Sequence, residues 1–214
     1  MEKGQLNFDS PESILNNPEI LIKIFEVSAR LNIPLSREAL RLVREFNYLV
    51  TEEFYTSVTV MADFEKILLS PPGSFNVLEQ MLDTGFLAHL IPEYRRVADR
   101  IQYDAYHLYP VDRHLLRTVY ILKMFGEADV LDSDDLCLRL YSGLKRKKLL
   151  LLAALLHDIG KVGISDQILT KSGPLDKRER EEIKRHSEIG IRIYPVYNKS
   201  CCCSSGRIFN REGT

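Results

Sequence analysis

Residues 149–161 read LLLLAALLHDIGK and place two polar side chains, His157 and Asp158, at the end of an otherwise apolar run. A run this apolar predicts a helix that is buried nearly all round. An unpaired carboxylate there would cost several kcal/mol, and a divalent cation or a buried salt bridge would remove that cost. Adjacent helix positions point ~100° apart, so both side chains can reach one cation between two helices. An imidazole with a carboxylate suits Zn, Mn or Fe.

The hydrophobic pattern on either side of this stretch predicts an all-α protein. Apolar residues recur close to a 3.6-residue period over residues 13–55, 112–125 and 176–193, and no strand-rich region or internal repeat is visible. Ser36 follows a break at Pro34 and predicts a helix N-cap. The SPPGS sequence at residues 70–74 predicts a loop between helices.

Length, composition and charge narrow the class of protein. The chain has 214 residues, of which 45% are hydrophobic and 28% charged, enough for one good-sized domain or two small ones. A net charge of -1 provides no general attraction to nucleic acid or to an anionic membrane. The start lacks the apolar segment of a secretory signal, and the longest apolar run is far below the ~20 residues that span a bilayer. We therefore expect a cytoplasmic protein with no membrane and no nucleic-acid partner.

The end of the sequence has a different character. Three of the four cysteines stand together at positions 201–203, and no Cys-x-x-Cys spacing supports a zinc ribbon. Residues 198–214, NKSCCCSSGRIFNREGT, show no periodicity and few apolar anchors. We expect residues 196–214 to form an irregular, disordered tail.

The segment AALLHDIGK at residues 153–161 resembles the signature of the HD superfamily of metal-dependent phosphohydrolases. In that family an earlier His, the His-Asp pair and a later Asp bind a divalent metal. The resemblance implies His114, His157 and Asp158 as metal ligands here, with Asp158 and Lys161 as catalytic residues. The implied metal is Mn, Fe, Zn or Mg, and Lys161 would balance charge on a bound phosphate.

A longer stretch of the sequence resembles a more specific family within this superfamily. Residues 101–114, IQYDAYHLYPVDRH, and more broadly residues 35–161 are similar to the bifunctional uridylyltransferase/uridylyl-removing enzymes that modify the PII protein. Pro110 and Arg113 depart from that family, which usually has Thr and Glu there. The implied reaction is metal-assisted hydrolysis that removes UMP from a tyrosine of a PII-like protein.

A second resemblance covers residues 157–193. The stretch after Lys161 looks like the matching part of the HD-GYP proteins, which hydrolyse cyclic di-GMP. In those proteins a His on the following helix, His186 here, binds a second metal, and the uridylyl-removing family would also place a functional His at this position. A cyclic dinucleotide therefore remains an alternative substrate.

Several expected features are missing from the sequence. Neither the Gly-Ser…Asp-x-Asp pattern of the nucleotidyltransferase site nor a Gly-Tyr-Pro signature is present, and the last metal-binding Asp should lie beyond residue 195. A truncated, inactive metal-binding remnant is thus a third alternative. We divide the chain into a helical region at residues 1–100, the N-terminal part of an incomplete HD-domain bundle at residues 101–195, and the tail.

Other polar residues are weaker candidates. His107, His89 and Asp166 are expected to pack, hydrogen-bond or cap helices rather than to bind a ligand. The basic residues 145–148 are expected to form a solvated helix start.

Overall fold

The computed structural model describes residues 4–97, 110–127 and 136–193, and the regular structure in these ranges is helical. Besides these helices, an isolated parallel bridge pairs Leu6 with Leu35, and such a bridge does not form a sheet. The predicted all-α fold is therefore confirmed. Within the described ranges, 3-10 helices lie at Asn47–Leu49 and Ile159–Gly163. The α-helices are α1 Pro11–Asn16, α2 Ile20–Leu31, α3 Arg37–Phe46, α4 Glu52–Thr56, α5 Val58–Leu69, α6 Val77–Asp83, α7 Phe86–Leu90, α8 Tyr94–Val97, α9 Val111–Met124, α10 Leu136–Gly143, α11 Lys147–Leu156, α12 Asp166–Leu169, α13 Lys177–Lys184 and α14 His186–Ile193.

Side chains at the helix starts satisfy backbone amides that have no partner within the helix. Ser36 caps α3 as predicted, because its hydroxyl accepts a hydrogen bond from the amide of Ala39 at 3.0 Å. Asp176 and Glu179 form a reciprocal capping box at the start of α13, with both hydrogen bonds at 2.8 Å. The charged sequence of α13, which buries none of its residues, therefore begins at a well-defined point.

The core lies between four of the longer helices. α2 packs on α5, α5 on α11, and α11 on α9. The buried apolar cluster has members from Ile14 to Ile159 and contains fully buried aromatic rings such as Phe25 and Phe64. Residues from both sides of position 100 thus share one core, which places α9 and the end of α11 side by side.

α11 is less enclosed than its sequence predicts. Leu151, Leu155 and their apolar neighbours are buried, but Leu149 and Ala153 are exposed. These two positions lie four residues apart on one line of the helix, and His157 continues that line. The open side of α11 therefore ends at His157, whereas Asp158 points toward the interior.

Among the helices that the structure describes, none combines the length and apolar character needed to cross a bilayer.

Candidate metal centre

Asp158 stands at the centre of a group of imidazole side chains. It follows His157, the C-cap of α11, precedes the Ile159–Gly163 3-10 helix, and is only 5% exposed. Its Oδ2 lies 3.9 Å from Nε2 of His114 and 3.5 Å from Nε2 of His157. Its other oxygen, Oδ1, lies 3.4 Å from Nε2 of His186. The four residues that the sequence singles out as metal ligands are therefore neighbours in space.

Three helices and one helical turn bring these residues together. His114 lies in the first turn of α9, which packs on α11. His157 is the C-cap of α11, and its ring makes an edge-to-face contact with that of His114 at a centroid distance of 5.4 Å. His186 is the first residue of α14, which packs on the 3-10 helix. One donor atom from each of His114, His157 and Asp158 lies within 4.8 Å of the others.

Backbone carbonyl groups fix the orientation of two of the rings. Nδ1 of His157 lies 2.8 Å from the carbonyl oxygen of Ala154, and Nδ1 of His186 lies 2.6 Å from that of Ile183. A carbonyl oxygen can only accept, so Nδ1 carries the hydrogen and Nε2 of the neutral ring keeps its lone pair. Both carbonyl groups belong to the last turns of helices, where a side chain can reach them as a hydrogen-bond donor. Two Nε2 lone pairs therefore face the Asp158 carboxylate, an arrangement typical of metal-binding histidines.

Lys161 pairs directly with the central carboxylate. Its Nζ lies 2.7 Å from Oδ2 of Asp158, and the residue is only 4% exposed. Burial by itself would raise the pKa of Asp158, but the hydrogen bond and the positive charge of Lys161 hold that pKa below its ordinary value. Asp158 is therefore ionised at neutral pH. The side chain of Lys161 points into the protein, toward Asp158.

The donor set fits a divalent cation. A buried, ionised carboxylate and three imidazole groups are ligands that Zn, Mn and Fe accept. The side chains of His114, His157 and His186 stay 32%, 39% and 21% exposed, so their rings are reachable from solvent. The further Asp that the family resemblance requires beyond residue 195 lies outside the described residues.

The weaker candidates have other partners. Nδ1 of His89 lies 2.9 Å from the carbonyl oxygen of Gly85 within its own helical turn. Asp166 begins α12, and its carbonyl oxygen accepts a hydrogen bond from the hydroxyl of Thr170. In the basic stretch, Lys148 pairs with Glu65 at 3.0 Å and Lys147 lies over the Tyr141 ring. His107 and the three consecutive cysteines lie outside the described residues.

One residue beside the site was not singled out from the sequence. Tyr94 is fully buried, and its hydroxyl donates to the backbone carbonyl of Asp112 at 3.1 Å, two residues before His114. This bond ties α8 to the start of α9. A single sequence carries no signal that separates such a tyrosine from any other aromatic residue of the core.

Comparison with known proteins agrees with this geometry. Residues 111–200 match the model of the HD domain, and residues 1–90 match that of the uridylyltransferase GlnD third domain. Residues 111–200 are thus similar to the HD domain, as the signature around His157 and Asp158 predicts.

The chain's curated relatives include bifunctional uridylyltransferase/uridylyl-removing enzymes. The enzyme from Methylococcus capsulatus is 34% identical over 72% of this chain, and that from Caulobacter vibrioides is 30% identical over 77%. The enzyme from Thiobacillus denitrificans is 32% identical over 83% of the chain. The aligned part covers 17%, 17% and 21% of these three relatives, so the chain spans about a fifth of their length or less. The predicted resemblance to this family is confirmed.

Proposed function

We propose that this chain forms the metal-dependent hydrolytic part of a uridylyl-removing enzyme, with a uridylylated PII-like protein as substrate. The observation that carries the proposal is the convergence of His114, His157 and His186 on Asp158 within an HD domain. The relatives, which are named uridylyl-removing enzymes, support the choice of substrate class. They do not favour a cyclic dinucleotide or an inactive remnant.

The reaction is hydrolysis of the phosphodiester that joins UMP to a tyrosine. Water adds at phosphorus, the bond to the tyrosine oxygen breaks, and UMP and the free tyrosine leave. A divalent ion held at the site would supply Lewis-acid catalysis and an activated water. The protein supplies the fixed Nε2 lone pairs of His157 and His186 and a carboxylate that stays ionised. Lys161 holds that carboxylate in place.

The proposal is tested first by metal content. Purified protein loaded with Mn²⁺ should retain a divalent ion by elemental analysis. The double variant His157→Ala/Asp158→Ala should lose it, because it removes two of the grouped donors. His89→Ala is the matched control, since His89 hydrogen-bonds within its own turn and should leave metal content unchanged. Equal metal content in the double variant would show that these residues do not bind the ion.

Activity is the second test. Release of UMP from a uridylylated PII-type protein should depend on Mn²⁺ and fall about 100-fold or more in Asp158→Ala. A parallel assay with cyclic di-GMP should show no comparable turnover. Metal binding without UMP release would instead favour the inactive remnant and contradict the proposed activity.

A further inference from the structure

A close backbone approach lies beside the centre, between the 3-10 helix and α14. Gly160 is buried, and a Cβ atom built on it would overlap the carbonyl oxygen of His186. The same Cβ would lie 2.6 Å from the amide nitrogen of Gly190 and 2.8 Å from the carbonyl carbon of His186, closer than the 3.0 Å at which real Cβ contacts essentially end. The first turn of α14 therefore rests directly on the backbone of Gly160.

This approach fixes the place of one imidazole. His186 begins α14, and Gly160 follows Asp158 by two positions in the sequence. The bond from Nδ1 of His186 to Ile183 sets the ring orientation, but the separation of α14 from the 3-10 helix sets how near Nε2 comes to Oδ1 of Asp158. That distance, 3.4 Å, exists only because no side chain stands between the two backbones.

We infer that Gly160 is a positioning residue for His186, and that its missing side chain sets the distance between His186 and Asp158. The inference rests on the proposed metal-dependent function. His114 and His157 are positioned by α9 and α11 and face Oδ2, the other oxygen of the carboxylate. A side chain at position 160 would thus move His186 away and leave those two donors where they are.

Two neighbouring glycines provide matched comparisons at the same interface. A Cβ at Gly163 would meet the end of the Ile189 side chain at 2.8 Å, which a rotamer change can relieve. A Cβ at Gly190 would have its nearest neighbour, the amide nitrogen of Gly160, at 3.7 Å, an ordinary contact. We therefore expect alanine to be tolerated at both positions. At position 160 the clash is with backbone atoms, which no rotamer change can move away.

The experiment is a titration of the full chain with Mn²⁺, in which free Mn²⁺ is followed by electron paramagnetic resonance. Gly160→Ala should weaken Mn²⁺ binding about tenfold or more, by the same factor as His186→Ala. Gly163→Ala and Gly190→Ala should bind as wild type does. The double variant Gly160→Ala/His186→Ala should bind no more weakly than His186→Ala alone, because a residue that acts through His186 has nothing left to position.

A second variant approaches the same contact from α14. Gly190→Val adds γ-carbons toward Gly160, where alanine just fits, and should weaken Mn²⁺ binding as Gly160→Ala does. The described side chains of α14, residues 186–190, are not part of the main apolar cluster, so this variant keeps the test valid even if Gly160→Ala fails to fold. Wild-type binding in both Gly160→Ala and Gly190→Val, or a further loss when Gly160→Ala is added to His186→Ala, would overturn the role of Gly160. Absence of Mn²⁺ binding in the wild type would overturn the proposed function instead.

Discussion

At the scale of single residues, the ion pair between Lys161 and Asp158 stabilises the site in the absence of a metal. Both side chains are almost fully buried, and a carboxylate in such a place is stable only with a partner. The sequence suggests Lys161 as a contact for phosphate. The structure shows the Lys161 side chain paired with Asp158, so we expect Lys161 to contribute mainly to the stability of the folded chain.

Replacement of Lys161 by methionine, which keeps the length of the apolar stem but removes the ammonium group, should lower the free energy of unfolding by about 3 kcal/mol in metal-free protein. Asp158 has a lowered pKa in the folded state, so its stabilisation is present above its unfolded value of 3.8 and is lost as the pH falls below it. The difference between wild type and variant should therefore narrow in acid. Urea denaturation at several pH values in EDTA measures this.

The control is Lys171→Met, which removes a partly exposed ion pair with Glu179 of similar length, 2.6 Å. Such exposed pairs contribute at most about 1 kcal/mol. An unchanged stability for Lys161→Met would mean that Asp158 does not depend on this lysine.

The sequence predicts the identity of the grouped residues but not their orientation. A His-Asp pair after a buried run, with histidines at positions 114 and 186, is readable from residue types and from the family resemblance. The inward turn of Lys161 is not, because a lysine beside ligands suits a phosphate and a carboxylate equally well. The tautomers of His157 and His186 depend on helix-end carbonyl groups, which only the fold brings within reach.

At the scale of helices, a half-buried lysine, Lys123, connects α9 to the end of α5. Nζ of Lys123 donates to the carbonyl oxygen of Ile67 at 2.9 Å and to the hydroxyl of Ser70 at 3.3 Å. A cation at the C-terminal end of a helix is favoured by the helix dipole. Burial nevertheless lowers the pKa of Lys123 to about 8.

This pKa shift predicts a rise in stability with alkaline pH. Between about pH 8 and the ordinary pKa of 10.5, the unfolded chain binds more protons at Lys123 than the folded chain does. The free energy of unfolding of the wild type, relative to Lys123→Met, should therefore increase by up to ~3 kcal/mol across that range. Urea denaturation of both proteins near pH 7 and pH 10 gives the difference. A difference that does not change with pH would show that Lys123 is not desolvated in the folded state.

Helix starts were easier to predict than helix environments. The cap at Ser36 depends on the chemistry of one residue and its neighbours, and it is confirmed. The exposed line of α11 through Leu149 and Ala153 was missed, because an unbroken apolar run gives no period from which a face can be read.

At the scale of the whole molecule, one apolar core joins the regions on the two sides of residue 100. The core includes α2 and α5 on one side and α9 and α11 on the other, while the buried Leu169 of α12 lies outside the main cluster. The division into a helical region and an HD-domain part at residue 100 remains a prediction. Whether the regions on the two sides of residue 100 unfold as one cooperative unit can be tested directly.

Leu155→Ala tests whether the two regions unfold together. Leu155 is fully buried in α11, and its truncation should lower the free energy of unfolding by about 2–5 kcal/mol. Because the core is shared, native-state hydrogen exchange should show equal losses of protection in α2 and α5 and in α9 and α11. Leu169→Ala removes the same group outside the main cluster, and its loss of protection should be confined to α12 and its neighbour α13. If Leu155→Ala leaves protection in α2 and α5 intact, the regions are separate folding units, and the position of α9 at the metal centre does not depend on the first 100 residues.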